Sequence, residues 1–200
     1  AILGHWLDLR GEYHGGPPGK EWFAQQAQLY KENNLLVNIH FITAIIFMII
    51  APFQFSRKFR SNHIIFHRMM GRVFMLSSIL ASISGLVMGI KMPFGEWLET
   101  IYVSLLFLMA IYASFMGMKY ILKRNILFHQ AWMIRLFCWS MSIVSMRLIL
   151  GGFYQIQPWN DRVWFAHSLF LGILLNFILA EIWIKVFIPL KSQKRDSAES

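Results

Sequence analysis

The sequence predicts an all-α integral membrane bundle of about five transmembrane helices, and three observations lead to this prediction. Of the 200 residues, 56% are hydrophobic and only 14% are charged, whereas a soluble domain carries roughly 25% charged residues. Five apolar runs each approach the ~20 residues that a helix needs to cross ~30 Å of hydrocarbon. The Lys and Arg residues concentrate in alternate connections between those runs, as membrane topology requires.

The apolar runs divide the chain into spans and short connections. Backbone N–H and C=O groups find no partner in lipid, so each spanning segment must satisfy its own, as a helix does. The runs lack the polar–apolar alternation of membrane barrel strands, and we therefore predict that all of them are helices. They cover residues 35–55, 66–90, 97–120, 128–150 and 163–188.

The charges of the connections predict the orientation. The connections after the first and third runs carry several Lys and Arg residues and no acid. The connection after the second run instead combines Lys91 with Glu96 and Glu99, and the one after the fourth combines Asp161 with Arg162. Because cytoplasmic loops are enriched in Lys and Arg, we expect the N-terminus outside and the C-terminus in the cytoplasm.

Three segments follow from this topology. Residues 1–34 form an extracytoplasmic segment, in which a Gly- and Pro-rich stretch at 15–19 indicates a loop. The stretch at 21–33 is either a short helix on the membrane surface or an ordered loop that covers the bundle. Residues 35–190 form the transmembrane bundle, and the polar residues 191–200 form a disordered cytoplasmic tail.

Composition also excludes several classes of function. The net charge is +9, but the basic residues lie in short connections between apolar runs, so we expect a lipid bilayer and no nucleic acid as partner. The chain has one cysteine, Cys138, which we interpret as a packing residue, and no intramolecular disulfide is possible. No phosphate loop, thiol pair or zinc-hydrolase motif occurs, and no catalytic set is predicted.

Small residues repeat every four positions on the second predicted helix: Ser77, Ala81, Gly85 and Gly89. Such a stripe lets another helix approach closely. It could also clear space for a flat cofactor. The sequence leaves both interpretations open.

Polar residues inside a bilayer are costly and are therefore the candidate functional residues. His40 and His167 each lie roughly 7 Å into their helix from the outer side, by helical rise. His67 and His129 lie at the cytoplasmic ends of theirs. Four helices thus carry one histidine each, and the histidines form two pairs at two depths.

Two histidine pairs at two depths are what a two-haem b-type cytochrome needs, because each iron takes axial imidazoles from facing helices. We predict haem b as the cofactor and these four histidines as its iron ligands. Arginines at the same levels would pair with the haem propionates. These are Arg147 on the outer side, and Arg68, Arg72 and Arg135 on the inner side.

The same histidines could instead serve purposes unrelated to two haems. His67 and His129 could bind water or lipid phosphate at the interface, and His40 and His167 could form structural hydrogen bonds. One haem instead of two is a further alternative. His63 and His67 have the i, i+4 spacing of a helix-borne metal pair, although no acidic third ligand lies nearby.

Three classes of function follow. The leading hypothesis is a haem-holding electron-transfer component of the membrane. The first rival is a non-catalytic accessory or scaffold subunit that binds other membrane-protein subunits. The second rival is a small transporter with Arg147 and Glu181 on its path, ranked last because neither inverted repeats nor broken helices are visible in the sequence. Glu181 is more simply explained by pairing with a basic residue of the inner side.

Two motifs give the chain a resemblance to a known family. The segment 67–72 (HRMMGR) opens the second run, and 129–135 (HQAWMIR) opens the fourth, with Arg147 near its far end. Together they resemble a bacterial family of predicted multi-pass membrane proteins that is classified as a domain of unknown function. The resemblance covers roughly residues 35–150 and implies a bacterial inner-membrane protein with no established activity. It also implies that one set of residues acts together: His67, Arg68, Gly71, Arg72, His129, Trp132, Arg135 and Arg147.

Overall fold

The computed structural model describes residues 20–156 and 161–188, and within them the chain forms eight helices and no strand. The predicted loop at 15–19 and the predicted tail at 191–200 lie outside the described residues. In chain order the helices are α1 (Lys20–Glu32), α2 (Asn34–Phe55), α3 (Arg57–Asn62), α4 (Ile64–Lys91), α5 (Glu96–Leu122), α6 (Ile126–Ser140), α7 (Ser142–Ile156) and α8 (Asp161–Phe187).

Five stretches are long and apolar enough to cross a membrane: α2, α4, α5, α6 together with α7, and α8. Their mean hydropathy over 18 residues lies between 1.5 and 2.3. Only 22 to 33% of the residues in these windows are buried inside the protein. Most of their apolar side chains therefore face outward, where lipid is the solvent. The predicted all-α bundle of five membrane-spanning helices is confirmed.

The two ends of the bundle differ in charge. We call the end at which α2 begins the upper face, and the opposite end, which carries α3 and residues 123–125, the lower face. The lower face holds the basic connections that contain no acid. The positive-inside rule predicts that the lower face is cytoplasmic.

Helix α5 is the central helix of the bundle. It packs against α4 on one side and against α6 and α8 on the other, while α2 packs chiefly against α4 and α7 against α8. The main core joins four helices through Phe47, Phe74, Ala113 and Leu136, all of them buried. The rings of Phe47 and Phe74 stack with their centroids 4.3 Å apart, which fixes α2 against α4.

The fourth span is interrupted at Met141, between α6 and α7. The Met141 N–H lies 3.1 Å from the carbonyl oxygen of Phe137 and 3.0 Å from that of Cys138. The Ser140 hydroxyl donates to the carbonyl of Leu136 at 2.8 Å, and such back-bonding bends helices. The structure thus differs from the sequence-based expectation of unbroken helices, because neither Pro nor Gly indicates this break.

The two helices α7 and α8 come closest at Gly172. A Cβ atom there would lie 2.5 Å from the carbonyl oxygen of Ser142 and 3.0 Å from the backbone nitrogen of Met146. Both are backbone atoms, which cannot rotate away as a side chain can. Glycine is therefore required at this position.

We expect Gly172→Ala to destabilise the protein by roughly 1–3 kcal/mol, because the added methyl group overpacks a backbone contact. Thermal unfolding in detergent measures the effect. Gly151→Ala is the matched control, since a Cβ there meets nothing within 4 Å. Equal melting temperatures for the two variants would contradict the close approach of α7 and α8.

Candidate functional site

A cavity of about 290 Å³ lies in the upper half of the bundle. Its walls come from α2, α4, α5, the end of α6, α7 and α8, and α1 contributes one residue above them. The walls are mostly apolar, with four titratable side chains among them: Tyr30, His40, Glu99 and Arg147. Apolar walls with a few convergent polar groups are typical of small-molecule sites, so this cavity is the candidate binding site.

His40 is held in one orientation at the cavity wall. Its Nδ1 atom lies 3.0 Å from the carbonyl oxygen of Ala81 and 3.2 Å from the hydroxyl oxygen of Ser84. Because a carbonyl only accepts hydrogen bonds, the neutral imidazole carries its proton on Nδ1. The lone pair is then on Nε2, which is the nitrogen left for a ligand.

The stripe of small residues on α4 lets side chains of neighbouring helices come close. A Cβ at Gly85 would lie 3.1 Å from Cε1 of His40, and one at Gly89 would lie 2.9 Å from Cγ1 of Val103. These positions therefore admit side chains of α2 and α5. Ala81, Gly85 and Gly89 also line the cavity, and the prediction that the stripe clears space for a flat cofactor stays a prediction.

Arg147 lines the cavity, and its guanidinium forms no ion pair within the described residues. Its guanidinium carbon is 5.5 Å from the ring centre of Phe165, and Glu99 and Tyr30 are within electrostatic range. The Glu99 carboxylate itself accepts hydrogen bonds from the backbone N–H groups of Phe94 and Gly95. Within the described residues, no acceptor is hydrogen-bonded to the Arg147 guanidinium and no carboxylate lies within 4.0 Å of it.

Helix α1 covers the upper end of the cavity. The buried Gln26 donates from Nε2 to the carbonyl oxygen of Met92 at 3.1 Å. Burial raises the pKa of the Tyr30 phenol above its ordinary value, so this side chain is a neutral hydrogen-bonding group at physiological pH. Of the two interpretations of residues 21–33, the structure shows a helix that contacts the bundle.

No contact between His40 and His167 occurs among the interactions of the described residues, and the predicted upper pair stays a prediction. His167 lies on α8 with its ring centre 6.2 Å from the Trp164 ring, and it is not among the cavity-lining residues. Both histidines lie at similar depth, as predicted. Their helices α2 and α8, however, are not principal packing partners.

The histidines of the predicted lower pair both lie in the first turn of their helices. His67 on α4 and His129 on α6 lie within electrostatic range of each other. The Nδ1 atom of His129 is 2.8 Å from the carbonyl oxygen of Gly117. Arg60 on α3 is within range of both imidazoles, and Arg68 is within range of His67.

Arg135 has a partner of its own. Its Nε and Nη2 atoms donate to the two carboxylate oxygens of Glu181 at 2.6 and 2.9 Å, and its guanidinium carbon lies 4.6 Å from the Trp132 ring centre. The prediction that Glu181 pairs with a basic residue of the inner side is confirmed. The Arg135 charge is thus already matched, whereas Arg72 is exposed on α4.

Tyr30 and Glu99 were not among the residues that the sequence predicted for a site. From the sequence, Tyr30 was interpreted as an apolar residue of the N-terminal segment, and Glu99 as a charged residue of an outer connection. The only sequence signal is that Glu99 follows Gly95 by four residues, the position of an acid in the first turn of a helix. In the described part of the chain, no three His, Cys, Asp or Glu side chains come together as a metal site.

Five apolar spans around a partly polar cavity define a multi-pass α-helical membrane protein with a candidate ligand site. The chain belongs to the family described as "Predicted membrane protein (DUF2306)", whose profile matches residues 37–184. This is a predicted membrane protein family of unknown function, and the membership that the motifs indicated is confirmed. Comparison with curated proteins and with solved structures finds no match.

The two-point contact between Arg135 and Glu181 predicts strong coupling. Replacing either residue alone by Leu leaves the other charge unpaired in apolar surroundings, which is costly. We expect the double variant to lose less free energy of unfolding than the two single variants lose together. The difference is a coupling free energy of about 0.5–3 kcal/mol. Unfolding measurements on the four proteins give this value. Strictly additive losses would contradict the pairing.

Proposed function

We propose that the upper cavity holds one b-type haem and that the protein transfers electrons within the membrane. The observation that carries this proposal is the fixed orientation of His40 in the cavity wall, which has its Nδ1 hydrogen-bonded to Ala81 and so leaves Nε2 as the nitrogen without a proton. Metal-ligating histidines almost always donate their other ring N–H to a carbonyl or carboxylate. His40 therefore has the bonding pattern of an axial haem ligand.

Arg147 supports the same proposal from the upper end of the cavity. Glu99 is within electrostatic range of this cation, but no described residue is hydrogen-bonded to it, and a charged group in apolar surroundings is costly without such a partner. A haem propionate would form a charge-assisted, bidentate contact with the guanidinium. Tyr30 and α1, above the cavity, would limit the access of water to that contact.

A methionine is the second axial ligand in this proposal. His167 was the ligand predicted from depth, but it does not line the cavity. Thioether sulfur is the other common axial partner of histidine and raises the reduction potential of the iron. Five methionines do line the cavity: Met48, Met88, Met92, Met141 and Met146.

A quinol is the second candidate ligand, and the size of the cavity favours it. About 290 Å³ is just below the range for ligand pockets, roughly 300–1,000 Å³. A quinol hydroxyl would donate to Nε2 of His40, and the opposite oxygen of the ring would accept from Arg147. The protein would then act in electron transfer as the holder of a quinone.

One observation supports the transporter hypothesis. The interruption of the fourth span lies beside the cavity, because Ser140, Met141 and Ile143 all line it. Interrupted helices form the substrate sites of many transporters. An accessory subunit, the remaining rival, would hold no ligand in the cavity and would co-purify with partner subunits.

Optical spectra of the detergent-purified protein test the haem proposal. We expect a b-type band after reduction with dithionite, and we expect His40→Ala to abolish it because the axial nitrogen is removed. His63→Ala is the matched control, since His63 is an exposed histidine on the lower face. A colourless wild-type protein after expression with ample haem would contradict the proposal, and thermal stabilisation by a short-chain quinol would then support the quinone alternative.

His167→Ala distinguishes the two views of the second axial ligand. We expect this variant to keep the reduced band, because His167 lies outside the cavity walls. The measurement is the pyridine-haemochrome content per chain. Loss of haem in His167→Ala would restore the His40–His167 pair that the sequence predicted and would contradict ligation by methionine.

A further inference from the structure

The wall of the upper cavity is closely packed at four of the five junctions between its helices. Five helices supply most of that wall: α2, α4, α5, α8 and α7. In that order around the cavity, α2 packs against α4, α4 against α5, α5 against α8, and α8 against α7. The remaining junction, between α7 and α2, is not among the principal packing contacts of the described helices. This junction is therefore the place where the cavity can open to the surrounding lipid.

Side-chain exposure points to the same junction. Met48 on α2 lines the cavity and is 41% exposed, and Ile143 and Val144 on α7 line it and are 37% and 49% exposed. Contact with the cavity does not by itself expose a side chain, because Met146 and Leu169 also line it and are only 2% and 1% exposed. None of the lining residues on α4, α5 or α8 is exposed. The exposed part of the wall thus belongs to α2 and α7.

The opening lies nearer the middle of the membrane than the polar groups of the cavity do. Because α2 runs downward from the upper face, Met48 lies about 12 Å below His40 by helical rise. Because α7 runs upward, Val144 lies about 4.5 Å below Arg147. Arg147 is itself exposed and lies at the upper edge of the opening. A molecule in the opening would thus have polar groups above it and hydrocarbon on its outer side.

We propose that the upper cavity exchanges its ligand with the bilayer through this opening, and that the ligand is a lipid-soluble molecule with an apolar body and one polar edge. This inference rests on the upper cavity being the ligand site of the proposed function, to which it adds the route of entry. An apolar body passes Met48, Ile143 and Val144 without leaving apolar surroundings. A water-soluble ligand would lose its hydration there, which is costly.

Exchange kinetics of the full chain in phosphatidylcholine liposomes test this route. The probe is haemin, supplied in the lipid phase, and decylubiquinone is the second probe. The amount bound is followed over time, from the Soret band for haemin and by extraction of the captured protein for decylubiquinone. Val144→Trp and Met48→Trp narrow the opening from its two sides. Leu148→Trp and Ile49→Trp are the matched controls, since both positions are exposed on the same two helices and neither lines the cavity.

We expect Val144→Trp and Met48→Trp to slow uptake about tenfold, which corresponds to a barrier higher by about 1.4 kcal/mol. Release should slow by the same factor, because a narrower opening raises one barrier that is crossed in both directions. The amount bound at equilibrium then stays near the wild-type value. Leu148→Trp and Ile49→Trp should take up and release the probe at wild-type rates.

Three results would overturn the proposal. Wild-type rates in both test variants would leave the opening to an acyl chain of a bilayer lipid. Slower uptake with unchanged release would mean that the added indole occupies the site and does not block a route. A wild-type chain that binds neither probe would overturn the proposed function as well, whereas the first two results contradict the route alone. If Val144→Trp does not fold, Met48→Trp decides, because it narrows the opening from the other helix.

Discussion

The cost of an unpartnered polar group in hydrocarbon is the constraint on which the rest of this structure depends. In most cases the protein avoids this cost by giving the polar group a hydrogen-bond partner on a neighbouring helix. Arg135 binds Glu181 at two points, and His40 and His129 each hydrogen-bond a backbone carbonyl of a neighbouring helix. Arg147 differs from Arg135, because within the described chain it contacts an aromatic ring and no hydrogen-bonded acceptor. We infer function from that difference.

The constraint also explains why the two ends of the bundle differ. At the upper end, a cavity with apolar walls combines the Arg147 cation and the Glu99 carboxylate with the oriented imidazole of His40, an arrangement suited to a flat molecule with polar edges. At the lower end, the basic connections between the spans contain no acid. Helix α5 lies between α4 and the α6–α8 pair, and it contributes to the walls of the cavity.

The depth of each histidine along its helix was predictable from the sequence, but the helices that surround it were not. The rise of 1.5 Å per residue places each histidine along its helix, so the levels of His67 and His129 followed directly. The order of helices around the bundle depends on side-chain packing between distant segments, which no local pattern encodes. For this reason the sequence predicts a His40–His167 pair although α2 and α8 are not principal packing partners, and the cavity position of Glu99 was not foreseen. The break at Met141 was missed because serines, rather than Pro or Gly, accompany it.

The most direct test of the central claim is native mass spectrometry of the intact chain released from detergent. We predict a bound mass equal to one haem b per wild-type chain, retained in His63→Ala and absent from His40→Ala. A bound mass equal to a quinone would keep the cavity as the functional site and change its ligand. A wild-type chain with no bound mass, in a sample that still unfolds cooperatively, would contradict the assignment of the upper cavity as a cofactor site.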